Sequence, residues 1–285
     1  TSKFKIMSKK ISFQGVEGAY SHLAVQEFFP NAEAVPCKTF ELAIAAAESG
    51  DVDYAMIPIE NSAAGRVADI HRLLPKSDLH INFEHFQKVE HKLLIHPETE
   101  QAQIKKIISH EQALAQCSDK IQQLDYDILI GADTAGSAKA ISEQKILDTA
   151  AIASSLAAKI YGLKTIDESF ANSSNNITRF YVMSKNENKE FNPDQTYISS
   201  FLFSVNNTPG SLFKVMGGFA TNNVNMIKLE SYNYGADFVI TQFYCEIEGH
   251  PEHQNTKFAL DDMYHYCSKV RKLGVFEKSA YRSRQ

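Results

Sequence analysis

The sequence predicts an α/β protein of two domains, on the strength of three observations. Over the first two thirds of the chain, strand-like apolar runs alternate with segments of helical periodicity, which is typical of βαβ units around mostly parallel sheets. Around residues 186–196 the chain becomes polar and loses periodicity, which indicates a linker. The remainder follows the order βαββαβ of a small ferredoxin-like domain. A chain of 285 residues is long enough to build both cores.

The first elements end at recognisable signals. Ile11–Gln14 predicts a short strand, and two glycines separate it from a helix that begins near Ser21. Thr39 can cap the next helix, which Gly50 ends. The alternation continues with these elements: a buried strand over Tyr54–Ile59 that Pro58 predicts to end or bend, a strand over Ile104–Ile108, a helix carrying Leu114, Cys117, Ile121 and Leu124, a strand over Asp127–Ile130, and a helix from about Asp133-Thr134.

Beyond the linker, four strands and two helices are predicted. Alternating apolar residues over Tyr197–Val205 indicate a strand with one buried face. The other elements are a helix carrying Leu212, Val215, Met216 and Phe219, strands over Val224–Glu230 and Phe238–Ile247 joined by a turn over Asn233–Asp237, a helix carrying Leu260, Met263, Tyr264, Cys267 and Val270, and a strand over Leu273–Phe276.

Composition argues against several classes of function. A net charge of −5, without a stripe of lysine and arginine interleaved with aromatic residues, argues against nucleic-acid binding. No apolar run reaches membrane length, so no membrane span is expected. The start lacks the apolar core of a signal peptide and the four cysteines form no Cys-x-x-Cys pair, so we expect a cytoplasmic protein with reduced thiols. No metal site is expected, because four histidines have spacings that fit neither a helix face nor a strand face: His80, His85, His91 and His96.

Polar side chains follow several predicted strands, where ligands bind in open α/β sheets. The most informative cluster is Thr178-Arg179-Phe180, which places a hydroxyl, a guanidinium and an aromatic ring between a polar loop and a strand. Arginine is well shaped to grip a carboxylate, although a strand edge with Arg179 covering the rim is the alternative interpretation. The other clusters follow four earlier strands: Gly15–Ser21, Glu60-Asn61-Ser62, Ser109–Gln112 and Asp133–Ser137.

Each of these clusters also has a purely structural interpretation. Ser109 with Gln112 matches a capping box, Asp133 is an ordinary N-cap, and the glycines of the first cluster allow a tight turn. Ser109, Gln112 and Gln116, however, have the spacing of one helix face. Helix N-termini also favour anions, so several of them converging on one cleft would suit a dicarboxylate.

Taken together, these motifs resemble the prephenate dehydratase family of phenylalanine biosynthesis. The C-terminal part resembles the ACT domain of that family, an amino-acid-sensing module. The motifs match in order across nearly the whole chain: Gly15-x-x-Gly18-Ala19-Tyr20-Ser21, Pro58-Ile59-Glu60-Asn61-Ser62, Ser109-His110-x-Gln112-Ala113-Leu114-Ala115-Gln116-Cys117, Asp133-Thr134-Ala135-Gly136, Ala150-Ala151-Ile152-Ala153-Ser154 and Asn176-x-Thr178-Arg179-Phe180.

The resemblance implies a two-lobed, periplasmic-binding-protein-like catalytic domain over residues 9–185 and a ferredoxin-like ACT domain over residues 197–278. Lobe 1 would comprise about residues 9–86 and 172–185, and lobe 2 about residues 87–171. The implied reaction removes the ring carboxylate of prephenate as CO2 and its hydroxyl as water, giving phenylpyruvate. Aromatisation drives this reaction, so the enzyme has to fix geometry and help hydroxide to leave.

The resemblance also implies roles for single residues. Thr178 would hydrogen-bond or protonate the departing hydroxyl, and Arg179 would either anchor a carboxylate or brace the pocket. Glu60 would position its neighbours, because a free carboxylate repels a dianionic substrate. Phe180 would form an apolar wall, and the resemblance calls for no metal or organic cofactor. The remaining candidates for substrate binding are Ser21, Asn61, Ser62, Ser109, Gln112, Gln116 and Thr134.

L-phenylalanine is the allosteric ligand that the resemblance implies, with these candidate contacts: Pro209, Gly210, Ser211, Leu212, Glu230 and Ser231. One family segment, of Glu-Ser-Arg-Pro type, reads Glu230-Ser231-Tyr232-Asn233 here, without arginine or proline. A homodimer or homotetramer is expected by analogy. Only about ten residues precede the first strand, so we expect no appended chorismate mutase domain and a single activity.

Two alternative functions stay open on the sequence. Arogenate dehydratase, which makes phenylalanine directly, is a close enzymatic alternative, and no residue of the chain separates the two substrates. A non-catalytic two-lobed binding protein fused to an amino-acid sensor would show the same lobes and polar clusters. The Thr178-Arg179-Phe180 context favours catalysis over this second alternative.

Overall fold

A computed structural model of the chain describes residues 9–206, 208–234 and 240–284, and its contacts divide into two compact units. The first unit comprises the described residues up to Leu74 together with His85–Tyr181. The second unit comprises Pro75–Glu84 and the described residues from Val182 onwards. The domain and lobe boundaries drawn from the sequence stay a prediction.

The described residues contain fifteen strands and nine α-helices. The strands are β1 (Lys10–Gln14), β2 (Glu33–Cys37), β3 (Tyr54–Asn61), β4 (Gly65–Arg66), β5 (His80–Lys88), β6 (Lys92–Ile95), β7 (Lys106–Ser109), β8 (Asp127–Ile130), β9 (Thr149–Ala153), β10 (Lys164–Asp167), β11 (Ile177–Ser184), β12 (Tyr197–Val205), β13 (Met226–Tyr234), β14 (Ile240–Glu248) and β15 (Cys267–Glu277). The helices are α1 (Tyr20–Phe28), α2 (Phe40–Ser49), α3 (Ala68–Leu73), α4 (Glu111–Gln116), α5 (Ser118–Leu124), α6 (Thr134–Glu143), α7 (Ser155–Ile160), α8 (Ser211–Thr221) and α9 (Gln254–Tyr266).

The first unit contains two sheets whose inner strands are largely parallel. In one sheet the order is β11-β3-β1-β2, and β1 runs parallel to both β2 and β3. In the other the order is β10-β6-β9-β7-β8, with β7 parallel to β8 and β9, and β6 antiparallel to β9 and β10. The predicted α/β class with mostly parallel pairing is confirmed here.

The second of these sheets is buried on both faces, as β9 illustrates. Ala150 and Ile152 join an apolar cluster built with α4 and α5. Ala151 and Ala153, which point the opposite way, join a cluster built with α6 and α7. Because side chains on both faces are covered, the strand is apolar throughout, as is usual in sheets with helices on both sides.

The second unit contains the predicted βαββαβ arrangement. Its antiparallel strands have the order β13-β14-β12-β15, and α8 and α9 follow the first and third strands of the unit, so the ferredoxin-like fold is confirmed. The core between sheet and helices contains Phe201, Phe203, Val215, Phe219 and Met263. β15 also pairs in parallel with β5, through Gly274 and Ile81.

Two predictions in the first unit were wrong. Of the predicted end or bend at Pro58, the end is wrong, because β3 continues to Asn61. The residues of β3 that pair with β1 end at Met56, so the missing proline N–H interrupts no bond to β1. The single predicted helix over residues 114–124 is two helices, with a break at Cys117. Asn172 accounts for the break, because its Oδ1 accepts from the backbone N–H of Asp119 (3.2 Å) at the start of α5.

Two predictions in the second unit were also wrong. β12 is buried on both faces over Tyr197–Phe203 rather than on one. Phe201 and Phe203 pack with α8 and α9 on one face, and Ser200, which points the other way, lies opposite Glu246 of β14. α9 ends at Tyr266, so Cys267 and Val270 belong to β15 rather than to the helix. The predicted turn over Asn233–Asp237 lies partly outside the described residues.

No helix in the described ranges combines the length and the apolar character that crossing a membrane requires.

Gly18 lies where the loop before α1 approaches α7. Its φ of +86° is in the left-handed region, and a Cβ atom there would lie 2.8 Å from the Cα atom of Ala157. The hydroxyl of Ser154 donates to the carbonyl oxygen of Gly18 (2.6 Å), which fixes this approach. Glycine is therefore required both by the backbone conformation and by the space.

We expect Gly18→Ala to lower the free energy of unfolding by about 2–4 kcal/mol, because left-handed strain adds to overpacking against α7. Urea unfolding measures this. The matched control is Gly50→Ala: Gly50 has a φ of +88°, but an added Cβ would have no atom within 4 Å. The control should therefore lose only about 1 kcal/mol, from strain alone. Equal losses would show that the approach to α7 is not what requires glycine at residue 18.

Candidate active site

A cavity of about 480 Å³ opens in the first unit. Its lining includes residues that follow β1 and β3 in one sheet and β7 and β8 in the other, so it lies at the carboxyl ends of these strands. Seven of the predicted site residues line it: Ser21, Asn61, Gln112, Gln116, Thr134, Thr178 and Phe180.

Four of the predicted site residues are not part of this lining: Glu60, Ser62, Ser109 and Arg179. Ser109 is completely buried at the end of β7, and its hydroxyl donates to the carbonyl oxygen of Ile152 (2.7 Å). Ser62 joins the ends of β3 and β11: its backbone N–H donates to the carbonyl oxygen of Ile177 (2.9 Å), and its hydroxyl oxygen accepts from the Ile177 N–H (2.9 Å). Both hydroxyls therefore hold backbone segments rather than face the cavity.

Arg179 braces the site from behind. Its side chain is 3% exposed, and its guanidinium lies 3.1 Å from the Glu60 carboxylate and 4.9 Å from the ring centre of Tyr181. Successive side chains of a strand point to opposite faces. Glu60 and Arg179 thus lie on one face, and their neighbours Asn61 and Thr178 line the cavity on the other. Of the two roles that the sequence left open for Arg179, this geometry favours the brace.

Asn61 has its orientation fixed by the backbone. Its Oδ1 atom accepts from the N–H groups of Ala63 (2.9 Å) and Ala64 (2.8 Å). Both hydrogens of its Nδ2 group are therefore directed elsewhere, one to Thr178 Oγ1 (2.9 Å) and one to Asn176 Oδ1 (2.6 Å). Because Thr178 Oγ1 accepts from Asn61, the proton of the Thr178 hydroxyl is available to a third partner.

The bonds continue from Asn176 to a tyrosine on α1. Asn176 Nδ2 donates to Gln116 Oε1 (2.7 Å), which lies 2.8 Å from Nε2 of His91. Nδ1 of His91 lies 2.9 Å from the Tyr20 hydroxyl, which also donates to the carbonyl oxygen of Glu90 (2.8 Å). We call Asn61, Asn176, Gln116, His91 and Tyr20 the amide-histidine chain.

Three members of the amide-histidine chain were missed as site residues. Tyr20 and Asn176 stand inside motifs that match the family, and Asn176 lies two residues before Thr178, the spacing of one strand face. His91 had no local signal, because the groups that it contacts lie on α1 and α4. A long-range contact of this kind has no periodicity in the sequence.

Burial sets the protonation of the groups around His91. Burial raises the pKa of the Tyr20 phenol well above its usual range, and the nearby Cys117 and Glu90 act in the same direction. Burial also raises the pKa of the Cys117 thiol to about 12. Burial lowers the pKa of His91, and the hydrogen bond to Gln116 acts in the opposite direction. Tyr20 and Cys117 therefore keep their protons at neutral pH.

Helix N-termini meet the cavity. The first residues of α1 and α6 line it, at Tyr20 and Thr134. The carboxylate of Asp133 accepts from the Gly136 N–H (2.6 Å) and so caps α6, as predicted. The predicted capping box of Ser109 with Gln112 was wrong: the N-cap of α4 is His110, whose Nδ1 accepts from the Gln112 N–H (3.2 Å).

The charge of the cavity is unusual for a site that would hold anions. Among the described residues that line it, none is lysine or arginine. The charged lining residues are Asp69 and Asp133, and the lining also contains two histidines, His91 and His110. In the described part of the chain, no group of three or more histidine, cysteine, aspartate or glutamate side chains could hold a metal ion.

The predicted allosteric residues lie in the second unit, at two places. Pro209, Gly210, Ser211 and Leu212 surround the start of α8, where Gly210 has a φ of +78°. Glu230 and Ser231 lie on β13, with Glu230 in an ion pair with Lys228 (3.2 Å).

A family model described as prephenate dehydratase matches residues 11–188. The chain belongs to the prephenate dehydratase family. Its sequence is 42% identical, over 95% of this chain and 97% of the relative, to a bifunctional N-acyl-homoserine lactone acylase/prephenate dehydratase of Komagataeibacter europaeus. It is 36% identical to arogenate dehydratase/prephenate dehydratase 1, chloroplastic, of Arabidopsis thaliana, over 94% of this chain and 71% of that protein.

Solved structures agree with the family assignment. GqqA, described as a novel type of quorum quenching acylase, matches with a TM-score of 0.90 and 41% identity, over 96% of this chain and 100% of that chain. Prephenate dehydratase from Arthrobacter aurescens in complex with L-Phe matches with a TM-score of 0.86 and 25% identity, over 94% of this chain and 90% of that chain. The predicted two-lobed, periplasmic-binding-protein-like fold of the catalytic part is thereby confirmed.

We expect Glu60→Ala to lower the free energy of unfolding by about 1–2 kcal/mol, because the buried Arg179 guanidinium loses an acceptor. The loss is modest because Glu60 is about one third exposed and water screens the pair. Glu60→Gln is the matched control, since it keeps an acceptor oxygen and should lose less in the same urea titration. An unchanged stability with a raised KM would instead make Glu60 a substrate contact.

Proposed function

We propose that the protein catalyses the decarboxylating dehydration of prephenate to phenylpyruvate, CO2 and water, with no cofactor. The observation that carries the proposal is the hydrogen-bond direction at Thr178. Since its oxygen accepts from Asn61 (2.9 Å), its own proton can be donated into the cavity. A donor aimed at a leaving oxygen is what this reaction requires.

The reaction needs little covalent help from the protein. The C–C bond to the ring carboxylate breaks, its electron pair enters the ring, and the C–O bond to the ring hydroxyl breaks to leave an aromatic ring. The departing hydroxide takes up a proton and becomes water. Thr178 would hydrogen-bond to that oxygen as negative charge develops, an interaction that is stronger in the transition state than in the ground state. A threonine hydroxyl is a weak acid, so stabilising the leaving oxygen suits it better than full proton transfer.

The rest of the lining supports a bound dicarboxylate with an apolar ring. Phe180 is 1% exposed and supplies an apolar wall, beside which loss of charge as neutral CO2 is favoured. The N-termini of α1 and α6 bring partial positive charge to the cavity. Gln112 and Thr134 add polar groups that can orient carboxylates.

Turnover of prephenate tests the proposal directly. Purified protein mixed with prephenate should yield phenylpyruvate, followed by its ultraviolet absorbance in alkali against an enzyme-free blank. Tight binding of prephenate in calorimetry without turnover would favour the non-catalytic binding protein instead.

We expect Thr178→Val to lower kcat by about 10²–10³-fold with KM changed only a few-fold, because the lost hydrogen bond belongs mainly to the transition state. Steady-state kinetics with prephenate measures this. Thr178→Ser keeps the hydroxyl and is the matched control, which should retain most of the activity. If valine and threonine gave equal turnover, Thr178 would have no part in the departure of the hydroxyl.

Arogenate dehydration is the closest competing activity. Relatives named arogenate dehydratase share 33–36% identity with this chain, and some are named for both substrates. The two substrates differ in the side chain, where arogenate carries an amino group in place of a keto group. Comparing kcat/KM for the two at one pH decides between them, since this ratio measures discrimination.

Acylase activity is a second candidate, favoured by the 42% identity to a relative named for that activity as well. Hydrolysis of an amide by a serine or threonine needs a base within hydrogen-bond reach. The two histidines of the cavity are engaged otherwise, His91 with Tyr20 and Gln116 and His110 with the Gln112 N–H. Release of homoserine lactone from an N-acyl-homoserine lactone would nevertheless establish this activity, and its survival in Thr178→Val would separate it from dehydration.

We also propose that the βαββαβ unit is an ACT domain that binds L-phenylalanine. Support comes from the relative solved with L-Phe and from the position of Gly210, one of the predicted ligand contacts, at the start of α8. The departure at Tyr232-Asn233 leaves the second family segment without its arginine and proline.

We expect millimolar L-phenylalanine to raise the thermal unfolding midpoint and to reduce prephenate turnover, because a ligand of the folded state stabilises it. Differential scanning fluorimetry and the phenylpyruvate assay measure the two effects, with D-phenylalanine as the control. No change in either quantity would remove the regulatory role from this unit.

A further inference from the structure

The amide-histidine chain fixes which atoms of each side chain donate. The backbone N–H groups of Ala63 and Ala64 make Oδ1 of Asn61 an acceptor, so Asn61 must donate to Asn176 Oδ1. Asn176 must then donate through Nδ2 to Gln116, so the Gln116 atom that accepts this hydrogen bond is Oε1. Because Oε1 can only accept, Nε2 of His91 must carry a hydrogen.

When the His91 ring is neutral, two acceptors compete for one proton at its Nδ1 side. With its hydrogen on Nε2, the neutral ring has a bare Nδ1 that must accept from the Tyr20 hydroxyl (2.9 Å). The single hydroxyl proton of Tyr20 is also within reach of the carbonyl oxygen of Glu90 (2.8 Å) and cannot serve both fully. An imidazolium removes the conflict, since Nδ1–H donates to the Tyr20 oxygen while Tyr20 donates to Glu90.

The cavity also needs positive charge for a substrate with two carboxylates. The described lining contains no lysine or arginine, and the buried guanidinium of Arg179 is paired with Glu60 on the opposite face of the strand. His91 lines the cavity and is 3% exposed, so a charge placed there would be poorly screened by water.

We infer that His91 takes up a proton when the substrate dianion enters and, as an imidazolium, supplies positive charge beside it; Gln116 and Tyr20 occupy both ring nitrogens, so His91 acts through its charge and not through a direct hydrogen bond. This inference rests on the proposed function, because it needs a dianionic substrate in the cavity. The proton comes from solvent, goes to Nδ1, and returns when the product leaves. Burial keeps the pKa of His91 low without an anion beside it, and a nearby anion raises that pKa.

Other titratable groups around His91 leave it as the group that changes charge. Tyr20 and Cys117 keep their protons, since burial raises the pKa of each. Glu90, next in the chain, is paired with Lys88 (2.6 Å) and Lys92 (3.9 Å). The remaining cavity groups are Asp133, which caps α6, Asp69, which lies 3.5 Å from Arg72, and His110, which caps α4.

The pH dependence of prephenate turnover tests this inference. For the wild type, kcat/KM should fall about tenfold per pH unit above the pKa of His91 in the free enzyme, which lies below its usual value. The corresponding fall in kcat should lie at least about one pH unit higher, because bound substrate raises the pKa of His91. Coincident profiles, or a flat kcat/KM between about pH 5 and 8, would overturn the inference while leaving prephenate turnover itself intact.

Variants identify the histidine that is responsible. His91→Gln can still donate to Gln116 but carries no charge, so kcat/KM should drop about 10–100-fold at low pH and lose its fall with pH. His110→Gln is the matched control and should keep the fall. A fall that survives in His91→Gln, or that disappears in His110→Gln instead, would assign the proton to another group.

A second variant covers the case in which His91→Gln does not fold. Tyr20→Phe removes the oxygen that accepts from Nδ1–H of the His91 imidazolium. This loss destabilises the charged ring more than the neutral ring, because a hydrogen bond from a charged donor is the stronger one. The fall in kcat/KM should therefore move to lower pH than in the wild type. An unmoved or upward-shifted fall would contradict the role of His91.

Discussion

The geometry of the cavity depends on one constraint, the close pairing of the end of β3 with the start of β11. Ser62 and Ile177 exchange two hydrogen bonds there, and the Glu60–Arg179 ion pair closes the same junction on the face away from the cavity. Because side chains alternate along a strand, fixing the pair on one face fixes Asn61 against Thr178 on the other. A slip of one residue would turn the hydroxyl out of the cavity and bring a guanidinium into it.

Hydrogen-bond direction, more than distance, gives the cavity its chemistry. Two backbone N–H groups orient Asn61, and every later donor and acceptor follows from that orientation as far as His91. The same amide leaves the Thr178 proton free to act at a leaving oxygen. Burial keeps the pKa of His91 low in the free site, although protonation of its ring would let every donor and acceptor of the amide-histidine chain pair. Under the inference drawn for His91, a bound dianion and completion of the chain favour the same charge state.

The relatives are named for more than one activity on one scaffold: dehydration of prephenate, dehydration of arogenate, and acylase activity in the bifunctional relative. A fold of this kind fixes where polar groups meet, at the carboxyl ends of strands from two sheets, while the groups themselves decide the reaction. In this chain they are a directed hydroxyl, amides, histidines and an apolar wall. That set matches the departure of hydroxide from a ring better than attack on an amide bond.

Local signals in the sequence were enough to predict the α/β class, the βαββαβ order, the capped starts of α2 and α6, and seven of the residues that line the cavity, because alternation, caps and motifs involve neighbouring residues. The remaining features depend on the tertiary structure. It turned Arg179 and Glu60 away from the cavity, buried Ser109 against Ile152, and divided one apolar helix at Cys117. It also brought Tyr20 and His91 together from 71 residues apart, since long-range contacts have no period that a sequence could reveal.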